Sequence, residues 1–170
     1  MADSPWRLSW RADPALAAMA DRHYPRQIRG ALGADQFVPP GRCVVLKTFD
    51  GSAGWVTSWP EHRRDRWAHT WINSFFRNEG DMRASDLITW AVAHTRWIWP
   101  ATPEQGMITF IDAGSIFSEV PGYCYRSAKF RHIGETAVYG RMIFQLHPRR
   151  MPAASPVPYS QLTLDEAFAL

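Results

Sequence analysis

The run RCVVLKT (Arg42–Thr48), the dipeptide Asp50-Gly51 and the run AGWVTS (53–58) follow one another almost without interruption. Two β-branched, apolar runs around Asp-Gly predict a β-hairpin, because its tight turn needs positive φ and glycine supplies it without strain. This segment commits the first half of the chain to antiparallel pairing. Upstream, residues 6–11 alternate apolar and polar and read as a strand. Asp13-Pro14 is then a helix start, an acceptor at the N-cap followed by a residue with preset φ. Leu16, Met19, Ala20 and His23 recur on one face of that helix, and Pro25 ends it.

The second half has a different rhythm. A strand over 68–76 (AHTWINSFF) leads into a polar loop, 77–83, that contains Gly80. Ser85 reads as the cap of a helix whose buried stripe is Leu87, Ile88, Ala91, Val92 and Thr95. The apolar strand MITFI (Met107–Ile111) closes at Asp112, a short helix is expected around 123–129, and strands over 131–136 and 141–146 close the domain. The order β-α-β-β-β-α-β-α-β-β combines a hairpin with strand–helix alternation, so the expected class is α/β: a mixed central sheet with helices on both faces. A chain of 170 residues supplies one such core. Residues 1–147 form the expected catalytic domain and 148–170 a Pro-rich tail, with either a short C-terminal helix over 162–170 or a disordered tail.

No run approaches the roughly 20 apolar residues of a membrane span, and MADSPWRLSW lacks the apolar stretch of a signal peptide. Cys43 and Cys124 stand alone, outside any zinc-ligand spacing, which points to a reducing cytoplasm. The net charge is only +3, yet of 19 basic residues only Lys47 and Lys129 are lysine. Nine tryptophans are too many for the core alone, and surface aromatics beside arginine suit bases and phosphates. A GC-biased genome is the plain alternative for the arginine excess.

The stretch Tyr125-Arg126-Ser127-Ala128-Lys129-Phe130, with Ile133-Gly134-Glu135 after it, resembles the GNAT acyltransferase pattern Y-x-x-x-G-F-x-x-x-G, with Lys129 at the glycine position. The element order is also that of the GNAT fold. The resemblance implies that Tyr125 is a general acid for the leaving group. It further implies that Arg77, Gly80 and Ser85 hold the pyrophosphate of an acyl-CoA-type donor. In this chain Met82 replaces the second small residue of that loop, and Glu79 and Asp81 add negative charge beside the expected anion. The pair His23-Tyr24, the strand ending in Asp112 and the 125–128 segment together resemble the Mom family, DNA-modification proteins of phage Mu and its relatives. That resemblance implies a bacteriophage anti-restriction enzyme that converts adenine N6 in double-stranded DNA to a carbamoylmethyl derivative, with His23, Tyr24, Asp112 and Tyr125 as its catalytic set.

Each candidate also has a plainer reading. A His in a last helical turn complements the helix dipole as readily as it moves a proton. An Asp before Ala113-Gly114 caps a turn as readily as it assists a base. Imidazole, phenolate and carboxylate in that set also suit iron. For DNA contact the sequence offers Arg63, Arg64 and Arg66 in one loop with Trp67, and Arg126, Lys129 and Arg131 later in the chain. Adenine N6 is paired inside a duplex, so the base must be flipped out, and a tryptophan is the expected stacking partner. The tail is the candidate for pairing two copies. The rival readings are an ordinary acyl-CoA N-acetyltransferase for a small amine or protein, and a non-catalytic accessory protein of the same fold.

Overall fold

The computed structural model describes residues 3–22, 37–60, 62–115 and 119–158. The elements are β1 (Trp6–Leu8), α1 (Pro14–Asp21), β2 (Arg42–Thr48), β3 (Ala53–Trp59), β4 (Trp71–Asn78), α2 (Ala84–Ile98), β5 (Met107–Ile111), α3 (Tyr123–Ser127), β6 (Arg131–Glu135) and β7 (Met142–Leu146). The strands form one mixed sheet in the order β1-β2-β3-β4-β5-β7-β6. Every neighbouring pair is antiparallel except β4 and β5, the pair joined through α2. No described helix is long and apolar enough to cross a membrane.

The β2–β3 hairpin turns where expected. The Asp50 carboxylate accepts from the Ser52 backbone N–H at 3.0 Å and from the Thr48 hydroxyl at 2.8 Å, and Gly51 adopts φ 74°. Asp13 caps α1 by accepting from the Ala15 N–H at 2.9 Å, with Pro14 as the first helical residue. Leu16, Met19 and Ala20 then pack on Val45, Val56 and Phe75. Gly54 lets α1 come this close: a Cβ there would lie 2.5 Å from Leu16 Cδ2 and 2.9 Å from Phe75 Cε1. The alternate residues Val44, Leu46 and Trp55 join a second, larger cluster with Leu87, Ile88, Ala91 and Val92 of α2, as the period of two in a strand requires.

Three boundaries differ from the sequence expectation, each for a tertiary reason. β1 stops at Leu8, because the Ser9 hydroxyl donates to Asp13 and turns the chain toward α1. β4 starts at Trp71, because 65–70 turns beneath buried Trp67, with Asp65 accepting from the Trp67 N–H at 2.9 Å. α2 starts at Ala84 after Arg83, which makes no side-chain cap, and Ser85 is buried one residue inside the helix.

The tryptophans are mostly structural. Trp6, Trp55, Trp67, Trp71 and Trp99 are buried, Trp10, Trp59 and Trp90 are half-buried, and Trp97 alone is exposed. The first part of the Pro-rich segment also enters the core, through Met151 and Val157. His94 of α2 clasps both ends of the described chain, with Nδ1 2.9 Å from the Ser155 carbonyl and Nε2 2.7 Å from the Ser4 hydroxyl. A carbonyl only accepts, so Nδ1 carries the proton and Nε2 accepts from Ser4. Burial lowers the His94 pKa, against a smaller opposing effect of the Ser155 hydrogen bond. The C-terminal helix expected over 162–170 lies outside the described residues.

Candidate functional site

β4 and β5 pair only from Trp71–Asn73 to Met107–Thr109. Beyond that point β4 follows β3, across a bulge that leaves Ser74 without an opposite residue, while β5 follows β7. Bulges bend a strand and add twist, and they recur beside active sites because they re-aim side chains. The two central strands therefore part at Asn73 and Thr109.

Tyr125 of α3 reaches this point. Its hydroxyl donates to Asn73 Oδ1 at 2.6 Å. Asn73 Nδ2 donates to the Val56 carbonyl at 3.0 Å and the Phe75 carbonyl at 2.8 Å, and the Thr109 hydroxyl donates to the Asn73 carbonyl at 3.2 Å. Two carbonyl acceptors fix the amide orientation, which makes Oδ1 the acceptor and Tyr125 the donor. The Tyr125 ring is walled by Phe76, Phe130 and Phe144, with centroids 6.3, 5.2 and 6.4 Å away. Sequence reasoning singled out Tyr125 and missed Asn73. The missed signal is an asparagine inside the strand run WINSFF, where asparagine is disfavoured unless its amide is bonded.

Asp112 is the first residue past β5, and its Oδ1 accepts from the Gly114 N–H at 3.1 Å, which starts the short 3-10 turn Ala113–Ser115. It lies three residues beyond Thr109, about 10 Å along the strand. Asp112 and Tyr125 thus share one end of the sheet, each with its own hydrogen bonds. His23 and Tyr24 lie outside the described residues. Arg22, immediately before them, is tied to the loop after β4: its guanidinium grips Glu79 at 2.9 and 3.0 Å, and its carbonyl accepts from Arg77 at 2.8 Å.

That tie changes the charge of the proposed cofactor loop. Glu79 is held by Arg22 and, at 2.7 Å, by Arg77, and these bonds lower its pKa from 4.5 to about 2, with the Arg22 bond the largest cause. The two guanidiniums balance Glu79 and the exposed Asp81 of the same loop, so the loop carries no net negative charge against a pyrophosphate. The Glu79 and Gly80 N–H groups are already used, on the Ser52 carbonyl at 2.8 Å and on Asn78 Oδ1 at 3.0 Å. Gly80 is small for a local reason, since a Cβ there would sit 2.6 Å from Ser52 Oγ. The loop therefore fits an anion through its arginines and the exposed start of α2 rather than through these two amides. For a metal, no group of three or more His, Cys, Asp or Glu comes together among the described residues.

The basic residues fall into two sets. In the 60s loop Arg63 pairs with Asp65 and lies 5.4 Å from the Phe110 ring centroid, Arg66 stacks on Trp67 at 4.2 Å, and Arg64 is exposed. In the other set Arg126 lies over Phe144 at 5.1 Å, and Lys129 is exposed. Phe110 packs with Ile108 and Ile143, whereas Phe144 packs with Tyr125, so alternation along β5 and β7 puts the two sets on opposite faces. A cavity of ≈ 400 Å³ opens elsewhere, at the β1–β2 edge, lined by Leu8, Trp10, Arg11, Arg42, Val44 and Ile98 among others, and none of the expected site residues lines it. No protein-family model matches the chain, and neither a curated protein nor a solved structure matches it.

Proposed function

We propose that the chain is a GNAT-fold transferase of the Mom type, acting on the N6 amine of adenine in DNA. The observation that carries the reading is the Tyr125 hydroxyl, held by Asn73 at the point where β4 and β5 part. Open sheets of alternating strands and helices take their ligands at such discontinuities. The element order supports the reading, and so does the packing of α1 on Val45 and Val56 but α2 on Val44, Leu46 and Trp55. Residue 129 adds a third support. Lys129 has φ 73°, the left-handed conformation that a glycine adopts freely, at the position where the family pattern carries glycine.

In this reading the adenine amine is the nucleophile. A C–N bond forms to the transferred carbon while the bond from that carbon to the leaving group breaks. The leaving group takes the electron pair and a proton from the Tyr125 hydroxyl, and the amine proton passes to Asp112 or His23. An acyl-CoA-type donor would supply a carbonyl carbon and a thiolate leaving group, so the direct product on N6 would be an amide. A carbamoylmethyl product would need a donor with its leaving group on the methylene carbon. Arg22 and Arg77 bind the donor's pyrophosphate, and Asn73 keeps the phenol oriented until its hydroxyl turns to the leaving group. The test is mass spectrometry of nucleosides from plasmid DNA of cells expressing the wild type or Asp112→Ala. A heavier deoxyadenosine is expected with the wild type only, and unmodified DNA from cells holding folded wild type would overturn the reading.

One observation favours a second reading, an ordinary acyl-CoA N-acetyltransferase. With Glu79 neutralised by Arg22 and Arg77, the loop carries less repulsion toward CoA than its sequence suggests. Acetyl-CoA at millimolar concentration then raises Tm in the wild type, and less so in Arg77→Ala.

A further inference from the structure

β6 and β7 meet in a turn whose closure and content disagree. Past the Glu135–Met142 pair, the Thr136 N–H donates to the Arg141 carbonyl at 2.9 Å. The Arg141 N–H donates to the Thr136 hydroxyl at 3.0 Å, and the Gly140 N–H to the Thr136 carbonyl at 3.0 Å. Gly140 completes the turn at φ 60°. This closed frame holds out Val138 and Tyr139, at 80% and 74% exposure the most exposed large hydrophobic residues described. Turn tips ordinarily carry Gly, Asn, Asp or Ser, whereas this closed turn presents a valine and a phenol to water. The Arg141 guanidinium lies over the Tyr139 ring at 5.2 Å.

The place of the turn gives it meaning. Ile111 pairs with Met142, so Arg141 stands across from Asp112, and the tip extends past the same end of the sheet. Two side chains on a convex tip cover far less than the roughly 800 Å² per partner of a stable protein interface, but they match one base step. Arg141 stands at the base of the tip, and exposed Arg126 lies on α3 over Phe144. Exposed Lys129 and Arg131 follow at the start of β6, the end of that strand away from the turn.

We propose that the 137–140 tip is a wedge that enters the base stack of duplex DNA, with Tyr139 stacking in the gap left when the target adenine swings out toward Asp112. This rests on the DNA reading above. Insertion of apolar side chains between base steps is a general way to unstack a duplex, and an aromatic ring replaces the lost stacking. Eight of the nine tryptophans are buried or half-buried, and the exposed one, Trp97, stands at the C-terminal end of α2, before the start of β5 and not at the Asp112 end.

The test compares wild type with the double variant Val138→Ser, Tyr139→Ser, which removes two exposed side chains, of which Tyr139 lies against Arg141. Three readouts are taken: anisotropy of a labelled DNA duplex, fluorescence of 2-aminopurine at the adenine position, and adenine modification in cells. The wild type is expected to bind and to brighten 2-aminopurine. The variant should bind similarly but lose the brightening, with modification down about ten- to a hundredfold, the worth of one stacked base. Placing 2-aminopurine opposite an abasic site should restore its brightening by the variant, which lost structure would not do. A variant that brightens and modifies like wild type overturns the wedge and leaves the DNA reading intact. A wild type that neither binds duplex nor modifies adenine overturns both. Loss of binding to anionic phosphatidylserine vesicles in the variant, with DNA behaviour unchanged, overturns the wedge in favour of a lipid surface.

Discussion

Two buried polar clusters, one under α1 and one between β4 and β5, look alike by burial and differ in what they are made of. Under α1, the Lys47 ammonium donates to Asp13 Oδ2, the Ser9 hydroxyl donates to the same oxygen at 2.6 Å, and the Ala15 N–H takes the other oxygen. Burial alone would raise the Asp13 pKa, but the bonds from Lys47 and Ser9 outweigh it and the net shift is downward. Between β4 and β5, Tyr125, Asn73 and Thr109 are all neutral and their bonds all lie where the sheet splits. An ionic cluster whose partners are fixed by a helix cap resists any change. A neutral phenol and amide exchange partners at the cost of one ordinary hydrogen bond, so the second cluster rearranges at lower cost than the first.

The largest effect should come from breaking the ionic cluster. Lys47→Met leaves the Asp13 carboxylate buried without its cation, and urea unfolding is expected to show a loss of about 3–5 kcal/mol, partly recovered by adding Asp13→Asn. A loss under about 1 kcal/mol would mean that the pair is effectively solvated. Next comes Tyr125→Phe, which strands one acceptor lone pair on Asn73 and should cost about 1–3 kcal/mol. It should also abolish adenine modification while the protein stays folded at 25 °C. Retained modification would make Tyr125 a core residue of the same kind as Asp13.

The smallest effect concerns a third polar group, the His94 clasp, which differs from both clusters in resting on a neutral imidazole. Its pKa in the folded protein lies below the ordinary 6.5 because burial disfavours the cation. Between the folded and unfolded values the unfolded chain binds the proton and the native one does not, so stability falls as pH drops below about 6.5. Melting curves from pH 7.5 to 5.5 should show this decline in the wild type and a shallower one in His94→Gln. Equal slopes would show that His94 does not control it.

Much of the local structure was legible because its causes are adjacent in sequence. Asp13-Pro14 starts α1, Asp50-Gly51 turns the hairpin, and Leu87, Ile88, Ala91, Val92 and Thr95 face inward on α2, all as patterns of two to four residues predict. Of the expected site, Tyr125 stands at the parting of the sheet. Asp112 takes the turn-capping position that a plainer reading also predicts, and Gly80 answers to Ser52. Ser85 as a cap was misplaced by two residues, because the N-cap is Arg83 and the helix, starting at Ala84, draws Ser85 into the packed face.

What the sequence determined by itself is most of the elements, their order and the place of the hairpin turn, since each follows from backbone preference and from apolar periodicity within a short window. Which strands part, and which side chains meet there, was decided only in three dimensions. Tyr125 meets Asn73 across 52 residues, and Arg22 neutralises Glu79 across 57. No local preference encodes such pairs, because each exists only after the sheet has closed the intervening loop, and the net charge of a loop depends on the partners that closure delivers.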